Sequence, residues 1–111
     1  MINILIIKSK QNIVTIEATG HSGYAEEGSD IVCSAVSTLM QNLANGLTEV
    51  VKADAKVILD EDIPHLSVAL CEVNQDKIKF AQMLMQTTIL SLKEIANGYS
   101  KFIKIKEKQN D

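Results

Sequence analysis

Two stretches rich in β-branched residues stand close together at the start of the chain, and their spacing limits the folds open to it. They cover residues 2–7 and 13–18, and five polar residues, 8–12, separate them. Parallel neighbours in a sheet need a crossover of about a dozen residues or more, whereas a short polar link suits a hairpin. The spacing therefore predicts two antiparallel strands.

A helix is predicted from Ile31 onward, because apolar residues then recur at spacings of three and four. Asp30 has a side chain suited to the N-cap position. Gly46 interrupts the pattern at a cost of about 1 kcal/mol relative to alanine, so the helix is expected to kink or end near it. The apolar positions of the pattern are Ile31, Val32, Val36, Leu39, Met40, Leu43, Leu47 and Val50.

A second pair of strands and a second helix follow. The strands are predicted at residues 56–59 and 66–73, and the link between them contains Pro64, which cannot donate a hydrogen bond to a ladder. Asp76 is the expected N-cap of the helix, and Gly98 is expected just beyond its end. Its predicted buried stripe consists of Phe80, Ala81, Leu84, Ile89, Leu92 and Ile95. Residues 102–106 resemble a last edge strand.

These elements predict the α+β class. The expected architecture is a five-stranded mixed or largely antiparallel sheet with two packed helices, in the order β-β-α-β-β-α-β. A chain of 111 residues with 46% hydrophobic content suits one domain, residues 1–111. A domain of this size buries roughly two thirds of the surface of its unfolded chain, so it needs neither disulfides nor a structural metal.

The net charge and the cysteine content limit the kinds of binding partner and the cellular location that we expect. The net charge of −3 and the pI of about 5.3 argue against direct nucleic-acid binding and suit a basic protein substrate. No apolar run approaches the roughly 20 residues of a membrane helix, so no membrane association is expected.

Two cysteines cannot build a disulfide scaffold and no leader segment is recognisable, so a reducing cytoplasm is the expected location. The lysines of the last strand, Lys104, Lys106 and Lys108, are interpreted as a guard against edge pairing rather than as contacts to RNA.

The segment from Gly20 to Ser37 combines a strand end, a glycine-containing loop and a helix start. With Asp30 as N-cap, Cys33 falls in the first helical turn, where backbone amides and the helix dipole favour the thiolate. His21 follows the second strand and can reach across the loop as a general base. The segment therefore suggests a cysteine–histidine pair for nucleophilic catalysis.

Neighbouring groups offer weaker support for the same chemistry. The backbone amides of Cys33 and Ser34 are candidates for stabilising an oxyanion. Ser37 lies one helical turn beyond Cys33, and Asp30 is placed to orient His21 as well as to cap the helix.

A plain structural interpretation stands beside each of these. A cysteine among Val32, Ala35 and Val36 is often only a small core residue, and a histidine in a glycine loop is usually a solvated turn residue. Cys71, inside an apolar predicted strand, is expected to be buried and inert. Local spacing does not decide between packing and catalysis.

At this segment the sequence resembles the Prp family, the ribosomal-processing cysteine proteases of Firmicutes and their relatives. The residues that carry the resemblance are Gly20, His21, Gly28, Asp30, Cys33 and Ser37. The resemblance implies a cytoplasmic cysteine endopeptidase that removes an N-terminal extension from the twenty-seventh large-subunit ribosomal protein. It assigns catalysis to His21 and Cys33 and needs no cofactor or metal.

The resemblance also implies a substrate loop and a homodimer. The expected substrate-loop residues are Gly20, Ser22, Gly23 and Gly28, and the glycines among them allow the loop to move and to order when a substrate docks. Ser22 and Ser34 stand where alanine is commoner in the family, and both are small enough to leave the implied mechanism unchanged. Met83 and Met85 are expected to contribute to the subunit interface.

Three rival functions remain open on the sequence. One is a ribosome-associated peptide-binding module without catalysis, and another is a thiol redox sensor built on Cys33, with Cys71 as a disulfide partner. A zinc site is disfavoured, because the two cysteines and two histidines lack the paired spacing of metal ligands.

Overall fold

The computed structural model describes residues 1–21, 30–60 and 65–110. The predicted order of elements is confirmed. The strands are β1 (Ile2–Ser9), β2 (Asn12–Thr19), β3 (Ala55–Asp60), β4 (His65–Leu70) and β5 (Ile103–Gln109), and the helices are α1 (Ile31–Asn45) and α2 (Gln75–Gly98). The expected irregularity at Gly46 is a single π-helical turn, Gly46–Val50, that continues α1.

The five strands form one mixed sheet in the order β3-β4-β2-β1-β5. β1 pairs antiparallel with β2, β2 with β4 and β4 with β3, whereas β1 and β5 are parallel. The parallel pair is possible because the long α2 connects β4 to β5 across the sheet. β3 and β5 are the two edge strands, as predicted for the last strand.

Both helices pack on one face of the sheet. Ile6, Ile16 and Val68 lie side by side across three strands, and all three are buried. Side chains alternate between the two faces of a strand. Residues an even number of positions from these three therefore point to the same helix-covered face. From α1, Val32, Val36, Met40 and Leu43 complete this core, and from α2 its members are Ala81, Met85, Ile89 and Leu92.

A buried glutamine ties α2 to an irregularity in the β1–β2 ladder. The register of that ladder shifts between Ile7 and Lys8, opposite Ile13. The amide of Ile13 donates to Gln82 Oε1 at 2.8 Å, and Gln82 Nε2 donates to the Ile13 carbonyl at 2.8 Å. The side chain thus satisfies both main-chain groups that the shift would leave unpaired.

Several predicted details of α2 are wrong. Asn74, not Asp76, is the N-cap, since its Oδ1 accepts from the Lys77 amide at 3.1 Å, and Asp76 lies inside the first turn. Gly98 is the last helical residue, and Tyr99 follows as the C-cap. Phe80 is 54% exposed because it lies about 100° around the helix from the buried Ala81.

The ends of two other predicted segments also differ. β4 stops at Leu70, so Cys71 lies beyond the strand and is exposed, against the expected burial. Met85 is fully buried in the core and is not available to a subunit interface, whereas Met83 is exposed. Val50, at the end of the π-helical turn, is exposed rather than part of the apolar face.

No helix within the described residues combines the length and the apolar character that crossing a membrane would require.

Candidate active site

Gly20 turns the chain at the end of β2. Its φ of +89° is a backbone conformation that side chains disfavour, and a Cβ added there would lie 2.5 Å from the carbonyl oxygen of Met1. Only glycine fits this turn without displacing the start of β1. The turn places the next residue, His21, at the end of the sheet with its side chain exposed.

Asp30 fixes the start of α1 and thereby the position of Cys33. Its Oδ1 accepts hydrogen bonds from the amides of Val32 at 3.0 Å and Cys33 at 3.1 Å. The predicted N-cap is confirmed, and its side chain is buried. Cys33 therefore lies in the first turn of the helix, half-buried, where the helix dipole favours an anion.

His21 and Cys33 line one cleft of about 220 Å³, here called the His21–Cys33 cleft. The two residues arrive from different elements, the end of β2 and the start of α1. Its other polar lining residues are Ser37, Gln41, Asp60 and His65. The apolar lining consists of Ile2, Ala18, Val36, Leu59 and Leu66. The arrangement places a thiol and an imidazole beside an apolar surface that can receive a peptide.

The other predicted site residues divide between this cleft and other places. Gly20 and Ser37 line it, and Asp30 supports it through the helix start. Ser34 lies instead in a groove between α1 and α2, with Ile31 and Thr38. This follows from helix geometry, because Ser34 is rotated about 100° from Cys33 whereas Ser37 lies nearly above it. The predicted loop residues Ser22, Gly23 and Gly28 lie outside the described residues.

The predicted oxyanion donors are already hydrogen-bonded. The Cys33 amide donates to Asp30 Oδ1, and the Ser34 amide donates to the Asp30 carbonyl at 3.1 Å. The expectation that these two amides are available to a substrate is therefore wrong in this structure. The side-chain cap occupies the Cys33 amide, and the first main-chain hydrogen bond of α1 occupies the Ser34 amide.

The lining residues of β3 and β4 were not predicted. His65 pairs with Thr19 across β2 and with Asp60 across β3, so three strand ends meet beside His21. His65 Nε2 lies 3.3 Å from Glu17 Oε2, an ion pair when the imidazole is protonated. His65 begins β4, and its place in the cleft depends on long-range register.

A sequence model of the family described as cysteine protease Prp matches residues 1–104. The chain belongs to the Prp family. The ribosomal processing cysteine protease Prp of Staphylococcus aureus is 27% identical over 104 residues, 94% of this chain and 95% of that protein.

Solved structures agree with the Prp assignment. One is the essential ribosomal processing protease Prp of S. aureus in complex with a covalently linked product peptide. It gives a TM-score of 0.87 at 25% identity and covers 97% of this chain and 100% of that one. A Streptococcus mutans protein gives 0.86 at 31% identity, covering 99% and 96%. These comparisons confirm the family that the sequence resembles, the predicted fold and the enzyme class. The protein is a cysteine protease.

Proposed function

We propose that this Prp-family protease removes an N-terminal extension from the precursor of the twenty-seventh large-subunit ribosomal protein, with Cys33 as nucleophile and His21 as base. The observation that carries the proposal is the meeting of both residues in the His21–Cys33 cleft. The relatives named ribosomal processing proteases support the substrate class.

The proposed reaction passes through a thioester. His21 takes the proton of the Cys33 thiol. The resulting thiolate attacks the carbonyl carbon of the scissile bond, and the tetrahedral intermediate collapses with transfer of that proton from the His21 imidazolium to the leaving amine. His21 then takes a proton from water, whose oxygen attacks the thioester. The acid product leaves, and the thiol and imidazole return to their starting state. The covalently linked product peptide of the S. aureus relative supports this two-step course.

The surroundings of the two residues suit each step. Cys33 lies in the first turn of α1, near the positive end of the helix dipole. The apolar lining, which includes Val36 and Leu66, helps to exclude water from the thiolate once a peptide covers the cleft. Ser37 lies one turn along the helix from Cys33 in the same cleft, where its hydroxyl can donate to or accept from the bound peptide.

The same proposal includes the wider setting of the protein. It acts as a single domain in the cytoplasm on a ribosomal protein precursor, without direct nucleic-acid binding and without a cofactor. We propose that it forms a homodimer, for which the exposed apolar residues Phe80, Met83 and Leu90 of α2 offer a surface. Light scattering during size-exclusion chromatography measures the mass directly, and Leu90→Glu is expected to shift it toward the monomer.

A disulfide redox switch is disfavoured by the positions of the two cysteines. Cys33 lies in the cleft beside the first residue of β4, His65, whereas Cys71 follows the last residue of that strand. Six residues of strand span about 20 Å, far beyond the 7 Å or so that limits the Cα separation of a disulfide.

The proposed function is tested with a synthetic peptide that spans the candidate extension and the first residues of the mature ribosomal protein. Mass spectrometry after incubation should show one cut with the wild type and none with Cys33→Ala or His21→Ala. Cys71→Ser is the matched cysteine control and should cut normally. Peptide binding without any cut by the folded wild type would favour the non-catalytic binding module instead.

A further inference from the structure

β3 is an edge strand whose outer side has no partner strand within residues 1–21, 30–60 and 65–110. The direction of its main-chain groups follows from one hydrogen bond. The Cys71 amide donates to the Asp54 carbonyl at 2.8 Å, one residue beyond the β3–β4 ladder and in the same register. This residue pair is therefore of the hydrogen-bonded kind, and such pairs alternate along an antiparallel ladder.

The alternation sorts the residues of β3 into two sets. Lys56, Ile58 and Asp60 direct their amides and carbonyls toward β4, because each is two residues from the next in the hydrogen-bonded series. Ala55, Val57 and Leu59 direct theirs away from β4, to the outer edge. The register of this ladder has no shift, so the two sets persist along the whole strand.

The outer edge of β3 differs from that of β5 in the chemistry of its side chains. Val57, Ile58 and Leu59 are consecutive, apolar and 43%, 38% and 54% exposed. The other edge strand, β5, carries exposed Lys104 and Lys106, which discourage pairing with another chain. β3 also carries exposed charges, Lys56 and Asp60, but between them the three apolar residues are uninterrupted, and such a stretch on an edge is a template for an added strand.

The edge leads directly into the His21–Cys33 cleft. Leu59 belongs to the edge set and also lines the cleft with His21 and Cys33. From Ala55 to Leu59 the strand spans about 13 Å, the length of a short extended peptide. A peptide paired with this edge would therefore run beside Leu59, which forms one wall of the cleft.

We propose that the substrate binds as an added strand on the outer edge of β3, paired with the main-chain groups of Val57 and Leu59, and that this pairing feeds its scissile bond to Cys33. The proposal rests on the proposed protease function and adds how the substrate is held. Strand addition uses main-chain hydrogen bonds for affinity and leaves sequence preference to pockets for alternate side chains. Leu59, which belongs to both the edge and the cleft, favours the substrate over a second copy of the chain as the occupant.

Amide hydrogen exchange tests the proposal residue by residue. Cys33→Ala is mixed with the synthetic extension peptide, and binding is followed in parallel by fluorescence polarisation of a labelled peptide. The amides of Val57 and Leu59 should gain up to about tenfold protection, because each gains a hydrogen bond worth up to roughly one factor of ten. The amides of Lys56 and Ile58, which already bond to β4, should change little.

Each other outcome has a definite meaning. Peptide that binds without protecting Val57 and Leu59, or that does not bind at all, overturns the proposal. Protection of these amides in the peptide-free protein that rises with protein concentration also overturns it, since a second copy then occupies the edge. Protection on binding, combined with no cleavage by the wild type, supports strand addition while rejecting the proposed protease substrate.

Kinetics with a backbone variant give an independent test. Val57→Pro removes the outward amide but no hydrogen bond to β4, and proline is tolerated at such edge positions. It should raise KM for the peptide by about tenfold, whereas Val57→Ala, which keeps the amide, should raise it by less. Alkylation of Cys33 by iodoacetamide in a Cys71→Ser background should proceed at the same rate in both. Equal KM values for the two variants would overturn the proposal.

Discussion

The carboxylate of Asp30 accepts a hydrogen bond from the backbone amide of Cys33 at 3.1 Å. The same oxygen accepts from Val32, so one buried side chain holds the first turn of α1 and the residue proposed as nucleophile. The bond also occupies an amide that would otherwise face a substrate. Asp30 is thus a positioning residue for Cys33.

Two substitutions of Asp30 distinguish the contribution of its N-cap hydrogen bonds to stability from the contribution of its negative charge. Asp30→Ala should lower the free energy of unfolding by about 1 kcal/mol or somewhat more, because a cap is lost. Asp30→Asn keeps an oxygen acceptor and should lose clearly less. Urea denaturation of the two variants measures the difference. Equal losses would show that the charge, rather than the cap, supplies the stability.

Gly20→Ala should be strongly destabilising for its size. It combines a positive φ with a close approach to the Met1 carbonyl, and strain of this kind costs on the order of 1–3 kcal/mol. His21 follows directly, so kcat/KM should fall as well. Gly98→Ala is the matched control, since nothing lies within 4 Å of its added Cβ and the residue is helical. Normal activity in Gly20→Ala would contradict the role of this turn.

Glu72 should make stability depend on acid pH. Its carboxylate accepts hydrogen bonds from the amides of Asn74, Asp54 and Val73, and the first two lower its pKa the most from the ordinary 4.5. A carboxyl whose pKa is lower when folded stabilises the fold above its unfolded pKa and loses that effect as pH falls through the folded pKa.

Glu72→Gln should therefore lower Tm near neutral pH and flatten the decline of Tm below about pH 4.5. Calorimetry across pH 2.5 to 7 measures both effects. Glu49→Gln, an exposed position on the π-helical turn, is the control and should follow the wild type. An unchanged acid decline in Glu72→Gln would reject the role of these hydrogen bonds.

Gln82→Leu should expose the cost of the shifted β1–β2 ladder. It leaves the buried amide and carbonyl of Ile13 without their partner, which costs about 1–3 kcal/mol per group. Gln86→Leu, one turn along α2 and exposed, should change stability by less than about 0.5 kcal/mol. Comparable losses in both variants would mean that the hydrogen bonds to Ile13 contribute little.

The features that the sequence predicts well are those encoded by neighbouring residues. Strand and helix order follows from hydrophobic periodicity, and the cap of Asp30 follows from its place before Ile31. The presence of both His21 and Cys33 in one cleft follows from a loop of limited length. Each of these depends on contacts within about a dozen residues along the chain.

The missed features depend on register and on helical phase. Asp60 and His65 reach the cleft only because β4 pairs with β2 so that His65 lies opposite Thr19, and no local pattern specifies that alignment. Ser34 was predicted in support through its backbone amide, and its side chain lies in the groove between the helices, about 100° around α1 from Cys33. That placement follows from helical phase, which is readable from the sequence.

At the end of β4, hydrogen bonds to a neighbouring side chain override the apolar pattern of the sequence. Residues 66–73 read as one continuous strand. The carboxylate of Glu72 instead accepts from the amides of Val73 and Asn74, which turns the chain toward α2 and leaves Cys71 exposed. Asn74 then caps the helix two residues before the expected Asp76.

The most direct test of the proposed mechanism measures the mass of the enzyme while it turns over the peptide. Wild-type enzyme is mixed with the extension peptide, quenched in acid within milliseconds to seconds and measured by intact mass spectrometry, with peptide mapping of the modified residue. The account predicts a transient adduct on Cys33 equal to the N-terminal fragment less one water. An adduct on another residue, or rapid cleavage with no adduct in any quench and full activity of Cys33→Ala, would contradict it.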